Sequence, residues 1–279
     1  MRTHPIDPVH GAMVLITGGA RGMGELYARR AIAGGARAIA LWDIDADAAE
    51  ALATDLSRSG ITVLAYAVDM GDLDSIRSTY AATARDLGDP DIIVNNAGVV
   101  RGAAFWDHDP VRDIENTLRI NTLGAMWLTR EALPAMMTDA TRLKRILNIA
   151  SAAGTLANPR MSVYAASKWA MIGWSESLRI ELEQAGHRHI AVTTFCPSFV
   201  STGMFAGARG PLWTPILSPR EATAAAWNGM RRGTPMVLRP WTVKLGMAAR
   251  GILPTRVWDA VAGPIFKVYR SMDHFTGRT

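Results

Sequence analysis

Two residues four positions apart, Tyr164 and Lys168, have side chains that could move a proton. They lie in the segment SVYAASKWAMIGWSESLRIELEQ, whose pattern predicts one long helix over 162–184. Positions i and i+4 share a helix face, so the ammonium of Lys168 should lie near the ring of Tyr164. A nearby cation favours the phenolate and lowers the tyrosine pKa from about 10. Such a tyrosine exchanges a proton with an alcohol or a carbonyl, although the same spacing also occurs on solvated helix faces.

A glycine-rich turn near the N-terminus has the composition of a phosphate-binding site. The apolar run 12–16 predicts a buried strand, TGGARGMG follows at 17–24, and ELYARRAIAGGA predicts a helix. Gly18, Gly22 and Gly24 permit a tight turn and a close approach of the backbone to a ligand. The helix N-terminus adds free N–H groups and a partial positive charge that suit a pyrophosphate. A glycine turn placed between a strand and a helix favours dinucleotide binding.

The acid Asp43 ends the next apolar run, 38–42, about 20 residues after the glycine turn. A carboxylate there can accept hydrogen bonds from the adenosine ribose and repels a 2′-phosphate, which favours NAD over NADP. Arg21, inside the glycine turn, argues the other way because a basic side chain could meet that phosphate. We give Asp43 more weight; its alternative role is a helix cap in the run DIDADA.

Strands and helices alternate along the chain. The predicted strands cover 12–16, 38–42, 62–67, 92–94, 144–150, 189–195 and 236–238, and the predicted helices cover 46–58, 73–87, 110–137 and 162–184. This order predicts an α/β fold: a single-domain, Rossmann-like, doubly wound parallel sheet of about seven strands flanked by helices. We expect the dinucleotide-binding and catalytic domain at 1–240 and a helical extension at 241–279 that belongs to the same domain.

Polar and special residues follow several of these strands. They are Asp43, Asp69, Asn96, Ser151 and Pro197. Ligands of open parallel sheets bind beyond the carboxyl ends of the strands. The sequence therefore predicts one site at that edge of the sheet.

At this point the sequence resembles the short-chain dehydrogenase/reductase family, over residues 11 to about 240. Five motifs carry the resemblance in the family's order: TGGARGMG (17–24), NNAG (95–98), Asn121 in RINTLG, Ser151 in NIASAAG, and YAASK (164–168). One departure is that Pro197 is followed by Ser198, where the family often has Pro-Gly. The serine takes up room beside the nicotinamide.

The resemblance implies roles for single residues. Tyr164 would be the general acid/base, Lys168 would hold the nicotinamide ribose and lower the tyrosine pKa, Ser151 would hydrogen-bond the substrate oxygen, and Asn121 would hold a water that relays protons. The cofactor NAD would be lined by Gly18, Arg21, Gly22, Met23, Gly24, Asp43, Asp69, Met70, Asn96, Ala97, Gly98, Tyr164, Lys168, Pro197, Val200 and Thr202.

Substrate specificity is expected in residues 152–161, in a lid segment at 198–218, and in the tail. The lid segment is rich in Gly, Pro, Met and large apolar residues, as is common in active-site lids. Arg209 is its one charged anchor, so we infer a bulky apolar alcohol or ketone; the alternative is a lid that packs only on itself. The predicted pocket residues are Ala152, Ala153, Asn158, Met161, Ser198, Phe199, Met204, Phe205 and Trp213.

The tail carries an apolar stripe and a positive charge. Trp258, Val261, Ala262, Ile265, Phe266 and Tyr269 recur at helical spacing, and Pro264 should kink or divide the helix. From Arg231 onward there are nine Lys or Arg and two Asp or Glu, against 21 and 23 before it. The tail resembles those of family members that oxidise retinoids and hydroxysteroids. Contact with a membrane surface is possible, but we favour pocket closure and subunit packing because Gly251, Pro254, Gly263 and Pro264 interrupt the segment.

Other features narrow the function classes. The net charge of +5 comes from the tail, and no nucleic-acid-binding motif accompanies it. The single cysteine, Cys196, and the lack of a signal-like N-terminus predict a reducing, cytoplasmic location. The six histidines form no ligand cluster apart from the weak pair His187 and His189, so no metal is expected. The long helices at 110–137 and 162–184 commonly form the subunit interface in the family, which implies a homotetramer or homodimer.

The leading hypothesis is an enzyme, an NAD-dependent short-chain alcohol dehydrogenase or ketone reductase that acts on bulky hydrophobic secondary alcohols or ketones. An NADPH-dependent carbonyl reductase is the first alternative. A non-catalytic NAD-binding sensor or scaffold is the second, and the intact set Asn121, Ser151, Tyr164 and Lys168 argues against it.

Overall fold

The computed structural model describes residues 7–208, 210 and 212–277, and within them seven strands form one parallel sheet. The strands lie in the order β3-β2-β1-β4-β5-β6-β7. Their bounds are β1 Met13–Thr17, β2 Ala38–Asp43, β3 Thr62–Ala67, β4 Ile92–Asn95, β5 Lys144–Ile149, β6 Ile190–Pro197 and β7 Met236–Arg239. The predicted fold class is confirmed, and the ends of the predicted strands lie within two residues of these bounds.

Helices cover both faces of the sheet. They are α1 Gly22–Ala33, α2 Ala46–Ser57, α3 Leu73–Leu87, α4 Asn116–Leu118, α5 Gly124–Thr138, α6 Ser162–Gln184, α7 Pro219–Arg232, α8 Trp241–Ile252 and α9 Thr255–Ala262. Side chains of β1 alternate between two apolar cores, as the period of a strand requires. Val14 and Ile16 pack with α1, α2 and α7, whereas Met13 and Leu15 pack with α3, α5 and α6.

The sheet changes direction between β1 and β4. From β1 the chain proceeds outward to β2 and β3, then returns to β4 on the other side of β1. Ligands of doubly wound sheets bind at this switch point, beyond the carboxyl ends of the strands. The glycine turn after β1 and the segment Asn95–Gly98 after β4 therefore face each other at the crevice.

The segment predicted as one helix over 110–137 is less regular than expected. It starts as a π-helical stretch, Pro110–Glu115, passes through α4, continues as a second π-helical stretch, Arg119–Leu123, and ends in α5. The wider π turns are frequent at functional sites. Asn121 lies in the second of them, with its side chain tied to neighbouring segments rather than to its own helix.

The tail holds one helix that the sequence did not reveal. α8 follows β7 directly, and α9 begins after Pro254. The predicted stripe from Trp258 onward is helical only to Ala262, and a 3-10 turn, Val268–Arg270, comes after Pro264. We keep the division of the chain at residue 240 as a proposal, since β7 ends at Arg239.

Candidate active site

A groove of about 280 Å³ lies over the switch point of the sheet. Fifteen of the sixteen predicted cofactor residues line it: Gly18, Arg21, Gly22, Met23, Asp43, Asp69, Met70, Asn96, Ala97, Gly98, Tyr164, Lys168, Pro197, Val200 and Thr202. The sixteenth, Gly24, lies beneath the glycine turn. A Cβ at Gly24 would come within 2.0 Å of the Gly18 carbonyl oxygen, so only glycine allows α1 to pack this closely on the turn.

The glycine turn leaves room and N–H groups for an anion. Gly18 and Gly22 have φ values of +61° and +60°, and open space lies where a Gly22 side chain would be. Arg21, the residue before α1, makes no side-chain cap, so the first N–H groups of the helix are left for another acceptor. Asn96 holds the turn from β4 by donating from Nδ2 to the carbonyl oxygens of Thr17 and Gly18, each at 3.0 Å. These residues fit the pyrophosphate of a dinucleotide.

Asp43 is buried at the adenosine end of the groove. Its Oδ2 accepts from the Ala20 N–H at 3.0 Å and its Oδ1 from the Asp45 N–H at 3.1 Å. The N-terminal cap of α2 is Asp45, not Asp43, since the Asp45 side chain accepts from the Ala48 N–H. Arg21 forms an ion pair with Asp45 at 3.4 Å. The carboxylate of Asp43 is thus built into the groove, while the guanidinium of Arg21 already has an acidic neighbour.

Three candidate catalytic side chains meet at the start of α6. Tyr164 and Lys168 share one helix face, with Lys168 Nζ 5.7 Å from the centre of the Tyr164 ring. Ser151 follows β5, and its Oγ accepts from the Ala153 N–H at 3.1 Å. Gly154 lets this turn approach α6, because a Cβ there would lie 2.6 Å from the Lys168 carbonyl oxygen. The side chains of Ser151, Tyr164 and Lys168 therefore form one cluster.

Burial dominates the ionisation of this cluster. It raises the pKa of the Tyr164 phenol to about 12, and the hydrogen-bonding Ser151 side chain acts weakly in the opposite direction. Burial also lowers the pKa of the Lys168 ammonium to about 8. Burial thus acts against the expected lowering of the tyrosine pKa by Lys168, because both side chains lie in a poorly solvated site.

Asn121 joins three segments around the cluster. Its Oδ1 accepts from the Val99 N–H at 2.7 Å, and its Nδ2 donates to the Val99 carbonyl at 2.9 Å and to Ser167 Oγ at 3.1 Å. Both N–H groups of the side chain are therefore used within the protein. This arrangement fixes the π turn against α6 and leaves the predicted water relay as a proposal.

A second cavity of about 820 Å³ adjoins the groove and has a largely apolar wall. Eight of the nine predicted pocket residues line it: Ala152, Ala153, Asn158, Met161, Ser198, Phe199, Phe205 and Trp213. Met204 lies in the groove instead. The polar groups that line the second cavity include two pairs that hydrogen-bond to each other, Asn158 with Ser271 and Thr214 with Thr242, both at 3.1 Å. The cavity suits a large apolar molecule.

The tail supplies much of this wall, although the sequence did not predict which of its residues line the cavity. The additional lining residues are Leu156, Leu212, Thr214, Trp241, Thr242, Val243, Leu245, Gly246, Ala248, Ala249, Trp258, Phe266, Val268 and Ser271. Of the predicted tail stripe, only Trp258 and Phe266 line the cavity. The apolar residues in 241–249 could have indicated a helix that faces the cavity, but Gly246 interrupts their helical spacing.

The groove and the cavity meet at three residues, Ser151, Ser198 and Phe205, which line both. Phe205 packs edge-on against Tyr164, with ring centres 5.9 Å apart, and against Phe199 at 5.4 Å. A molecule in the cavity therefore meets a molecule in the groove beside the Ser151 hydroxyl. This junction can support chemistry between two bound partners.

Other features of the sequence play no part in the site. Across the part of the chain that the structure describes, no group of three His, Cys, Asp or Glu side chains is arranged to hold a metal ion. Among the same residues, no helix has the length and hydropathy needed to cross a bilayer. His189 Nε2 lies 3.0 Å from the Met136 carbonyl, and Cys196 is buried with a free thiol. Arg209, the expected charged anchor, lies outside the described residues.

The fold and the cluster define an oxidoreductase class, and sequence comparison agrees. The family profile "short chain dehydrogenase" matches residues 12–211, and the chain belongs to that family. It is 32% identical over 254 residues to estradiol 17-beta-dehydrogenase 11 of Rattus norvegicus, which covers 91% of this chain and 83% of the relative. It is 31% identical over 253 residues to 17-beta-hydroxysteroid dehydrogenase 13 of Homo sapiens, which covers 89% and 81%.

Solved structures share the fold. A short-chain dehydrogenase/reductase from Burkholderia phymatum in complex with NAD has a TM-score of 0.79 at 22% identity and covers 88% of this chain and 94% of its own. The 3-ketoacyl-(acyl-carrier-protein) reductase from Brucella melitensis complexed with NADH has a TM-score of 0.71 at 24% identity, with 83% and 97% covered.

Proposed function

We propose that this protein transfers a hydride between NAD(H) and a bulky hydrophobic secondary alcohol or ketone. The observation that carries the proposal is the junction at Ser151, where a polar groove with a carboxylate and a glycine turn meets a large apolar cavity. Tyr164 and Lys168 line the groove together with Ser151. A dinucleotide and an apolar alcohol would thus meet beside a proton-transferring side chain.

The groove supports NAD rather than NADP. Asp43 is buried among the residues that would surround the adenosine ribose, and a 2′-phosphate there would meet its carboxylate. Arg21 is held by Asp45 at 3.4 Å and is half-exposed. The fold relatives from Burkholderia phymatum and Brucella melitensis were solved with NAD and NADH, which is consistent with the proposal.

Residues of this chain would transfer the proton to and from the substrate. NAD, when bound, supplies the redox step by taking up or giving a hydride. Tyr164 accepts the hydroxyl proton of the alcohol during oxidation and donates it to the ketone oxygen during reduction. The Ser151 hydroxyl holds the substrate oxygen, and the ammonium of Lys168, 5.7 Å from the centre of the Tyr164 ring, stabilises the phenolate that forms as the alcohol is oxidised. Because burial raises the pKa of Tyr164, oxidation is the direction that needs this stabilisation.

The shape of the cavity supports the substrate class. Its volume of about 820 Å³ and its wall of Met, Phe, Trp and Leu side chains favour a large apolar molecule, and its internal polar pairs already bond to each other. The named relatives are 17-beta-hydroxysteroid dehydrogenases, so hydroxysteroids head the candidates. Sugars and organic acids fit less well, because the described wall presents no charged side chain to them.

Two further expectations remain part of the proposal. We infer a homodimer or homotetramer, supported by half-exposed apolar side chains on the helical segment around α5 and on α6: Leu123, Met137, Trp169 and Ile180. We also infer a cytoplasmic location, supported by the buried free thiol of Cys196. Sedimentation analysis of the purified protein tests the first.

A substrate panel tests the proposed function. Hydroxysteroids, retinol, aryl alcohols and small aliphatic alcohols would be offered with NAD⁺ and with NADP⁺, and formation of reduced nicotinamide would be followed by absorbance. We expect turnover with NAD⁺ and a higher kcat/KM for bulky apolar alcohols than for small ones. A higher kcat/KM with NADP⁺ than with NAD⁺ would favour the NADPH-dependent carbonyl reductase instead. Tight NAD binding without turnover of any substrate would favour the sensor or scaffold.

A further inference from the structure

Exposed apolar side chains surround the mouth of the large cavity. Four large apolar lining residues also face solvent: Leu212 and Trp213 in the lid segment, and Trp241 and Leu245 on α8, with exposed fractions of 42%, 72%, 66% and 57%. Deeper lining residues such as Met161 are buried. The four therefore mark the opening of the cavity, and we call them the apolar rim.

α8 extends the apolar rim along one helix face. Trp241, Leu245, Ala248 and Ile252 recur at intervals of three or four residues and are all exposed. The sequence argued against a lipid-facing element because Gly and Pro interrupt the tail. α8, however, runs unbroken from Trp241 to Ile252 and ends before Pro254. Pro254 therefore interrupts the tail only after α8, the helix whose apolar face borders the mouth of the cavity.

Cations accompany the apolar rim. Residues 241–277 contain five Lys or Arg side chains and two acids: Lys244, Arg250, Arg256, Lys267 and Arg270, with Asp259 and Asp273. Asp259 is engaged by the Tyr269 hydroxyl. None of the five cations forms an ion pair with a carboxylate in the described chain, whereas most ion pairs of the protein lie on the sheet domain. Two of the five adjoin cavity-lining residues in the chain and are exposed: Lys244 precedes Leu245, and Lys267 lies between Phe266 and Val268. The guanidinium of Arg250 instead lies over the Trp169 ring, 4.9 Å from its centre. The apolar rim therefore has two exposed cations next to it in the chain.

We propose that the apolar rim, together with Lys244 and Lys267, forms a docking surface for an anionic lipid bilayer. Tryptophan side chains are favoured at the boundary between lipid and water, where their rings are partly buried and their N–H groups stay hydrated. Lys and Arg side chains near the boundary are attracted to anionic headgroups. Docking would place the mouth of the cavity on the membrane, so that an apolar substrate passes from lipid to the cavity without crossing water.

A second copy of this chain fits the same surface less well. A two-fold contact places the same patch on both subunits. Both sides of the contact would then carry the positive charges of Lys244 and Lys267, with two acids in the tail of each copy and one of these acids bonded internally. Like charges in contact oppose association, whereas an anionic bilayer complements both the charge and the apolar side chains.

Vesicle flotation of the full chain tests the docking surface without cofactor or substrate. Wild-type protein should float with vesicles of phosphatidylcholine and phosphatidylglycerol, bind pure phosphatidylcholine vesicles much more weakly, and be released by high salt. Lys244→Gln together with Lys267→Gln should lower the partition coefficient about fivefold per cation, or roughly thirtyfold for the pair. Trp241→Ser together with Leu245→Ser should also lower binding to anionic vesicles.

Matched controls are Arg58→Gln and Leu64→Ser, which change an exposed cation just after α2 and an exposed apolar residue on β3. β3 is the edge strand opposite to β7, the strand that α8 follows. Both controls should bind vesicles as the wild type does, and all variants are checked for an unchanged melting temperature. Absent vesicle binding, equal binding to neutral vesicles, or losses equal to those of the controls would overturn the proposal. Self-association that the Trp241→Ser, Leu245→Ser variant abolishes, without vesicle binding, would assign the surface to a second copy.

Discussion

Lys168 on α6 donates a hydrogen bond of 2.9 Å from Nζ to the main-chain oxygen of Ile149, the last residue of β5. Ser151 follows two residues later, and Tyr164 lies one turn before Lys168. This bond joins the strand end to the helix, so the serine and the tyrosine approach the substrate oxygen from fixed positions. It also offers the buried ammonium an acceptor, which partly offsets the loss of water.

The pH dependence should differ between the two directions of the reaction. Oxidation requires the unprotonated Tyr164 and reduction the protonated form. Since burial raises the pKa of Tyr164 to about 12, the phenol predominates at neutral pH. We expect kcat/KM for oxidation to rise up to about tenfold per pH unit through the neutral range, while that for reduction stays level. Initial rates in both directions, with the cofactor saturating, measure this.

Cys196→Ala is the control for that experiment, because burial raises the pKa of this neighbouring thiol to about 12 and it should not ionise in the range studied. An oxidation rate that is flat above pH 7 in the wild type would show that the bound cofactor and Lys168 bring the tyrosine pKa to neutrality. The profile would then follow the sequence-based expectation rather than the burial of the free site.

Asp43 should set the choice of cofactor. Asp43→Ser removes the carboxylate that would repel a 2′-phosphate, so kcat/KM with NAD⁺ should fall and that with NADP⁺ should rise, narrowing or inverting the preference. Asp45→Asn is the matched control: it frees Arg21 from its ion pair of 3.4 Å but leaves Asp43 in place. The control should keep the preference for NAD⁺. If Asp45→Asn inverts it and Asp43→Ser does not, Arg21 governs the choice.

Gly24→Ala should damage the cofactor groove. The new Cβ would come within 2.0 Å of the Gly18 carbonyl oxygen, which forces the glycine turn away from α1. We expect the affinity for NADH, measured by fluorescence titration, to fall at least tenfold, with a lower melting temperature. Gly173→Ala on α6 meets no atom within 4 Å and should be neutral or stabilising, by up to about 1 kcal/mol. Unchanged NADH affinity in Gly24→Ala would remove the turn from the binding site.

Phe266 should contribute to specificity for bulky substrates. Its ring lines the cavity and lies 5.9 Å from that of Trp213, and its carbonyl accepts from the Leu212 N–H at 2.9 Å. Phe266→Ala should raise KM for a hydroxysteroid about tenfold or more and leave kcat for a small alcohol unchanged. Ile265→Ala alters the neighbouring exposed side chain that does not line the cavity. Equal effects of the two variants on all substrates would indicate a structural role only.

The sequence predicted the sheet and the order of its elements with little error. Thr62–Ala67 and Ser162–Gln184 match the predicted bounds, because uninterrupted apolar or amphipathic patterns determine these elements locally. The polar residues after each strand predicted the groove, since parallel strands end at one edge of a sheet. Gly24 was predicted to line the cofactor groove but lies beneath the glycine turn. The motif predicts the turn, but it does not show which of its glycines face the ligand.

Three features depend on tertiary structure and could not be predicted. α8 contains Gly246 and Gly251, which weaken the helical pattern of its sequence. Its packing over the cavity stabilises the helix nevertheless. The π turns around Asn121 depend on bonds to Val99 and Ser167, which are distant in sequence. The raised pKa of Tyr164 follows from burial by the whole fold, which no i, i+4 spacing can report.

Tyr164→Phe is the decisive test of Tyr164 as the general acid/base. The substitution removes only the phenol oxygen, so we expect kcat to fall by about 10²-fold to 10⁴-fold while NADH affinity stays within about twofold of the wild type. Tyr80→Phe, which removes a hydroxyl bonded to Asp89 at 2.7 Å on the distant helix α3, should leave both unchanged. Initial rates with the best alcohol of the panel give the answer. Retention of more than about a tenth of the wild-type kcat by Tyr164→Phe would contradict its role as the general acid/base.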